Sequence, residues 1–294
     1  MNGNNINAPL VSVIMNCYNG GKYLKEAIDS VLKQTYTNWE LIFWDNQSTD
    51  ESASIFKSYK DARLKYFYAP SHTPLGEARN LAAINAKGSW LGFLDCDDIW
   101  ISSKLENQVE LINDSKDEKL ALVYGQVLNF SDNGLTYHIL TKNNLPNGDI
   151  FGELAKDNFI PVSSALVRID RYWKVGGINS FFRQAEDYDL FVKISHQFNA
   201  VAVDGLVSKY RIHANNLSAF QKDLCYTESI EILMSFLPDK RAIEGLRFWS
   251  SLYFLFSIKR LKINKVSILY FWKFGSFSEL LILIYRYSKA SFSK

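Results

Sequence analysis

Cysteine is scarce. Cys17, Cys96 and Cys225 lie far apart in a chain of 294 residues, and no C-x-x-C pair occurs. An odd, scattered set argues against a disulfide framework or a zinc site, and it suits a reducing cytosol. Long apolar runs are missing too. No stretch reaches the ~18 consecutive apolar residues of a membrane-crossing helix. Met1 to Leu10 is polar and rich in Asn, without a basic n-region or an apolar h-region, so no signal peptide is expected and a cytoplasmic location is. There is no G-x-S-x-G elbow and no Ser-His-Asp order, which removes support for nucleophilic hydrolysis. The dinucleotide G-x-G-x-x-G and the Walker G-x-x-x-x-G-K-[ST] are also absent, which argues against a dehydrogenase or an NTPase. No repeat or low-complexity linker is found, and a formal net charge of +2 gives no reason to expect a nucleic-acid partner.

The chain is 47% hydrophobic and 15% aromatic, enough to bury a substantial core. Its length allows one large domain, or a domain with an appendage. Charge is unevenly spread. From Lys240 onward the bases Lys240, Arg241, Arg247, Lys259, Arg260, Lys262, Lys265, Lys273, Arg286, Lys289 and Lys294 face only Glu244 and Glu279, which leaves the remainder net acidic. Such asymmetry predicts two parts with different partners.

Periodicity predicts a strand over Leu10–Met15, a helix over Lys22–Gln34 and a strand over Glu40–Trp44, with Ser48 or Thr49 capping the next helix. A third strand follows over Leu64–Tyr68, then a helix over Gly76–Lys87 ended by Gly88, then a fourth apolar run. Strand and helix thus alternate, which predicts an α/β fold with a mostly parallel sheet covered by helices on both faces. The later pattern is less regular. It reads as a hairpin of Leu120–Phe130 and Leu135–Leu140 about Asp132-Asn133-Gly134, strands over Val162–Val167, Ala200–Asp204 and Leu206–Ile212, and a helix over Asp187–Phe198. Parallel sheets bind ligands beyond the carboxyl ends of their strands. The loops at Asn16, Asp45 and Asp95 all fall at that edge.

The most informative stretch is Leu91-Gly92-Phe93-Leu94-Asp95-Cys96-Asp97-Asp98, a buried strand ending in three acids within four positions. Carboxylates so close repel one another, and a divalent cation bound to a diphosphate would relieve them. The plainer alternatives are an acidic loop or an Asp capping the following helix.

Taken in order, Val11-Ser12-Val13-Ile14-Met15-Asn16-Cys17-Tyr18-Asn19, Trp39 to Asp50, Ala78-Arg79-Asn80, Leu94 to Leu105, Glu186-Asp187 and Tyr210-Arg211-Ile212-His213 resemble a family 2 glycosyltransferase of the bacterial surface-polysaccharide type. The resemblance spans about Val11 to Ser218. It implies a GT-A fold, Rossmann-like, with a catalytic domain over 1–218. The nucleotide-sugar half would run to about 100 and the acceptor half from about 101 to 218. It also implies an inverting transfer, dependent on Mn²⁺ or Mg²⁺, from a nucleotide-diphosphate sugar to a saccharide hydroxyl, with a UDP-sugar the first choice of donor.

Carried over residue by residue, the resemblance makes Asp97 a metal ligand and Asp95 a ribose contact, with His213 near the metal or the diphosphate, or simply structural. Asp98 is either a supporting acid or a helix cap. Asn16 and Tyr18 fall in the nucleotide loop, where Tyr18 stacks on the base or packs over the sheet edge. Asp45 and Asn46 would meet the base; Asn46 departs from the two acids often found there, though its amide can still pair with a pyrimidine ring. Arg79 would pair with phosphate, or else form a surface ion pair. Asp187 would be the base that deprotonates the acceptor, with Glu186 orienting it. The alternatives are a non-catalytic nucleotide-sugar binder and a sugar nucleotidyltransferase. The second needs a glycine-rich basic loop that Asn16–Gly21 does not resemble.

Residues 219–294 read as a helical, basic and aromatic region. It would lie on the inner face of the cell membrane, beside a lipid-linked acceptor, or else cap the catalytic domain or form a dimer interface.

Overall fold

The computed structural model describes residues 8–132, 136–139, 144–214, 216, 221–260 and 263–292, with side chains of 136–139 and 286–292 left aside. The expected turn residues Asn133 and Gly134, the compositional boundary at 218, and Lys262 and Lys294 lie outside the described residues.

Four strand–helix steps open the chain: β1 (Val11–Cys17), α1 (Gly21–Leu32), β2 (Trp39–Asp45), α2 (Ser52–Ser58), β3 (Leu64–Tyr68), α3 (Leu75–Ala83) and β4 (Trp90–Phe93). Every residue of β1, β2 and β4 is buried, as befits strands covered on both faces. In α1 the buried Leu24, Ala27, Ile28 and Val31 follow the i, i+3, i+4, i+7 stripe that seats a helix on a sheet. Next come β5 (Ile99–Trp100), α4 (Lys104–Asp114), β6 (Leu120–Ser131), β7 (Thr136–Ile139), α5 (Phe151–Lys156), β8 (Leu166–Arg168), α6 (Ile169–Lys174), α7 (Glu186–Gln197) and β9 (Asn199–Ile212). Helices α8 (Lys222–Met234), α9 (Lys240–Lys259), α10 (Lys265–Phe274) and α11 (Phe277–Phe292) complete the chain.

The strands form one sheet in the order β3-β2-β1-β4-β8-β6-β9-β5, with β7 alongside β6. It is parallel from β3 to β4 and mixed beyond, because β4–β8, β8–β6 and β9–β5 run antiparallel while β6–β9 is parallel. The chain steps outward from β1 through β2 to β3 and then returns to place β4 on the other side of β1. That reversal opens a crevice at the carboxyl ends of β1 and β4. One core lies on the face covered by α1, α2 and α4, the other beneath α3, α5 and α7. Helices α8 and α9 join the second core through Ile230, Leu233, Leu246 and Trp249.

Several local expectations are corrected. Val162–Val167 is a 3₁₀ turn over Val162–Ser164 followed by the short β8, because the Ser164 hydroxyl donates to the Pro161 carbonyl at 2.7 Å and tightens the chain there. The two strands expected over 200–212 are one, with Gly205 at φ +135° absorbing a register shift against β6. Neither Ser48 nor Thr49 caps α2. Both are engaged by Asn19, and the Asp50 carboxylate accepts from the Ser52 N–H at 3.0 Å instead. Helix α3 ends at Ala83, so Gly88 is not its terminator. Gly88 lies against β1, donating to the Ser12 hydroxyl at 2.8 Å, and a Cβ there would strike the Leu10 carbonyl and the Ser12 nitrogen.

Since those obstacles are backbone, Gly88→Ala must move β1 or β4. We expect a stability loss of about 1–3 kcal/mol, read as a lowered midpoint in urea unfolding. An unchanged midpoint would show that the edge can yield.

Candidate active site

The crevice between β1 and β4 collects the residues that the sequence singles out. Asn16 is the last residue but one of β1, on the same face as Ile14, and it pairs in register with Trp44 of β2. The Asn16 amide is 92% buried, yet neither its oxygen nor its nitrogen has a protein partner, and the Trp44 indole N–H beside it is equally unpartnered. Buried polar atoms are normally satisfied, so two adjacent side chains left open at a switch point mark a place for a polar ligand. Tyr18 is exposed on the rim, with its ring 4.4 Å from that of His72. His72 is itself held by a 2.9 Å contact from Nδ1 to the Asn46 carbonyl.

Asp45 and Asn46 form the floor of the neighbouring loop. Asp45 is fully buried and accepts from the Tyr66 hydroxyl and the Ser48 N–H, both at 2.7 Å. The Asn46 amide grips Thr73 at both ends, donating to its carbonyl at 2.8 Å and accepting from its N–H at 3.2 Å. Both side chains therefore already serve protein partners and fix the loop that carries His72.

Beyond β4 the three acids separate by environment. Asp95 accepts from Arg79 at 2.7 Å. Asp97 meets the His213 ring, Oδ2 to Nε2, at 2.9 Å. Burial and the Asp95 charge push the Asp97 carboxyl above its ordinary value, with His213 opposing them. Asp98 is buried and accepts from the Arg211 N–H at 3.0 Å, and burial drives its carboxyl well up. It does not cap α4, which begins six residues later at Lys104.

Arg211 organises this loop. Its guanidinium is 4% exposed and donates to the Asp97 carbonyl at 2.9 Å, to Asp132 at 2.7 Å and to Glu26 at 2.9 Å, between the rings of Tyr23 and Phe130. Asp132 is lowered to about 2 by the Tyr23 hydroxyl and Arg211. The same Tyr23 ring lies 5.1 Å from His213, whose N–H donates to Asn216.

Arg79 is the central cation. It is 3% exposed and donates to Asp95 at 2.7 Å and to Glu186 at 2.9 Å. Burial alone would lower its pKa, but the two carboxylates hold it above the ordinary value. It is therefore neither a surface pair nor free for phosphate alone. Glu186 and Asp187 open α7, and burial pushes Glu186 up to about 7 against the pull of Arg79. Burial likewise raises the half-buried Asp187, which accepts from the Tyr188 N–H at 2.7 Å. The fields of Asp95 and Arg79 act on both acids, so the β4 loop and the start of α7 share one electrostatic site.

Three features escape the sequence. Glu228, in the middle of α8, is buried and accepts from the N–H groups of Arg183, Gln184 and Ala185 at 2.8–2.9 Å, holding the turn that delivers Glu186. A lone Glu on a helix gives no signal of that. Cys17 and Cys96, widely spaced in sequence, meet behind the acidic loop as free thiols; their shared hydrogen bond holds Cys17 low and Cys96 high. Trp44 looks like any core aromatic until its register with Asn16 is known.

Removing the Glu228 charge leaves backbone donors buried without a full set of acceptors, at about 1–3 kcal/mol for each one stranded. Glu228→Gln keeps one oxygen but turns an NH₂ toward a donor. It should lower the urea midpoint by at least the equivalent of one such bond, and a variant as stable as the parent would refute that role.

The comparisons agree with this geometry. The profile of the family described as Glycosyl transferase family 2 matches residues 12–175. An uncharacterized glycosyltransferase of Rickettsia felis is 30% identical over 255 residues, covering 85% of this chain and 42% of that protein. The UDP-Glc:alpha-D-GlcNAc-diphosphoundecaprenol beta-1,3-glucosyltransferase WfgD of Escherichia coli is 33% identical over 215 residues, covering 71% of this chain and 80% of its own. Among solved structures, S. aureus TarS 1-349 in complex with UDP superposes with a TM-score of 0.64 at 19% identity over 87% of this chain and 75% of that one. The mannosyltransferase PcManGT of Pyrobaculum calidifontis, in complex with GDP-Man and Mn²⁺, gives 0.66 at 16% identity over 97% and 81%. By its sequence match, and with the GT-A fold that its acidic crevice occupies, the chain belongs to glycosyl transferase family 2.

Proposed function

We propose that the chain is an inverting, metal-dependent glycosyltransferase. It would move a sugar from a UDP-sugar to a hydroxyl of a lipid-linked saccharide during surface polysaccharide assembly, at the cytoplasmic side of the membrane. The observation that carries this reading is the Asp95–Arg79–Glu186 bridge, which ties the acids of a nucleotide crevice to a carboxylate pair of raised proton affinity. The acceptor class is drawn from WfgD, whose name specifies a diphosphoundecaprenol acceptor, and the donor from the UDP held by TarS.

The residues divide the work. Asn16 and the Trp44 N–H offer unspent hydrogen bonds to the donor, and the Tyr18–His72 pair offers an aromatic platform for its base. Asp97 and His213 form an oxygen–nitrogen donor pair suited to Mn²⁺ or Mg²⁺. Among the described residues no group of three His, Cys, Asp or Glu is placed to hold a metal ion, so a cation bound there would need phosphate oxygens to complete its shell. A cation held there would supply charge neutralisation to the departing diphosphate. Arg79 keeps Asp95 in place and adds positive charge to the crevice without titrating. Asp187 takes the acceptor proton as the hydroxyl attacks, and burial raises its proton affinity in the direction that a base needs.

Binding stabilises the native state by mass action, about 2.7 kcal/mol at 100 times Kd. UDP with Mn²⁺ should therefore raise the melting temperature, whereas no shift with any nucleotide diphosphate would remove the donor site. Asp187→Asn should keep that shift while kcat falls by about 10²–10⁴, the range of a general base. Near-parental turnover would take Asp187 out of the mechanism.

The pH dependence has a definite sign. The base acts only when ionised, so kcat/KM rises with pH through a limb above the ordinary carboxylate range. Glu186, pushed up to about 7, is partly ionised near neutral pH, so Glu186→Gln deletes part of a negative charge and leaves Arg79 one partner short. Both changes favour the ionised form of Asp187, so the limb should move to lower pH. A limb that stays put would separate Glu186 from the titration.

A further inference from the structure

Helices α10 and α11 are apolar on two sides. Their inner faces pack Phe271, Leu280 and Leu283 against Leu255 of α9. Their outer faces expose Leu269 (62%), Trp272 (84%), Phe277 (77%), Leu281 (67%) and Tyr285 (60%). A helix with polar residues outward needs no further partner, but one that is apolar all round is covered by something. We infer that this outer face docks on a bilayer rich in anionic lipid and enters a single leaflet without crossing.

No single helix is long and apolar enough to cross; α10 and α11 reach that length only as a pair, and the pair is sharply bent. Helix α10 has 10 residues and meets α11 at a bend of 114° about Gly275 and Ser276. Ten residues of helix rise only ~15 Å, half the ~30 Å of hydrocarbon. The bend lays both helices along a surface, with Trp272 and Phe277 on either side of it. Large aromatics at such a boundary match the interfacial preference of Trp and Tyr.

Charge decides between a bilayer and a second copy of this chain. Lys259, Arg260, Lys265 and Lys273 are exposed at the end of α9 and on α10, Arg260 reaching Asp223 of α8 at 3.7 Å, and from Lys259 onward the sequence holds eight bases and the single acid Glu279. A two-fold contact would bring this basic rim onto itself. An anionic headgroup layer complements it. This surface does not depend on which sugar is transferred, and its test is separate from that of the donor site.

The test is flotation of the full chain with vesicles of phosphatidylethanolamine and phosphatidylglycerol, compared with the variant Leu269→Glu/Leu281→Glu. Both positions are exposed, so the fold and the UDP-induced thermal shift should stay as in the parent. The parent should float, and the variant's partition coefficient should fall at least ~tenfold, since charges are introduced at the buried depth. Neutral phosphatidylcholine vesicles or high salt should also weaken the parent. Equal flotation of parent and variant, or none by either, would overturn the proposal. So would a lipid-free dimer that the variant converts to monomer, because a second copy would then occupy the face. As a second variant, Trp272→Ser removes the most exposed aromatic without adding charge, and it should weaken flotation in the same direction.

Discussion

A single guanidinium couples the two halves of this site. Arg79 is buried where a lone charge would be untenable, and it is tolerated because Asp95 and Glu186 reach it from opposite sides. Breaking one partner of a buried ion pair typically costs about 3–5 kcal/mol, since the remaining charge is stranded. The β4 loop and the start of α7 are therefore not free to drift apart: any opening that separates Asp95 from Glu186 exposes an unbalanced charge. Burial raises the proton affinity of the Glu186–Asp187 pair, and the charge of Asp95 adds to it, while Arg79 pulls both carboxyls the other way.

The loop of acids is held by a second arginine with a different logic. Arg211 donates from its guanidinium to the Asp97 carbonyl and from its backbone N–H to the Asp98 carboxylate, so a strand 113 residues further along the chain fixes both Asp97 and Asp98. Asp132 and Glu26 neutralise it, and two aromatic rings cover it. The Asp97 carboxylate is thereby left to face His213. What looks like a three-acid motif in the sequence is thus three acids with different partners: Asp95 on the Arg79 guanidinium, Asp97 on His213 and Asp98 on the Arg211 backbone N–H.

How much of this was legible follows from range. In the first hundred residues each strand and helix is set by local periodicity, and the four parallel strands were readable with ends off by one or two residues. The resemblance to the glycosyltransferase family spanned about Val11 to Ser218, and Arg79, Asp95 and the Glu186-Asp187 pair could be named from it. Their mutual contacts could not, since a separation of 107 residues between Arg79 and Glu186 leaves no pattern in one sequence. The second half failed where local hydrogen bonds overrode propensity, as at Ser164, or where one strand carried a glycine irregularity, as at Gly205. Asn46 shows a different limit: its amide also holds the Thr73 backbone at both ends, a structural task that no local pattern announces.

The C-terminal helices alter the meaning of the domain boundary. Composition sets them apart as basic and aromatic, but α8 supplies Glu228 to the turn before Glu186, and α9 packs into the core beneath α5 and α7. The same α9 carries Leu255, against which α10 and α11 are seated. One packed helix therefore connects the turn before Glu186 to the exposed apolar wedge. If the wedge lies in a leaflet, the carboxylates are held at a fixed height and tilt above it. A lipid-linked acceptor would then diffuse in two dimensions to a site already oriented toward its plane, and much of the orientational cost of association would be met before the sugars touch.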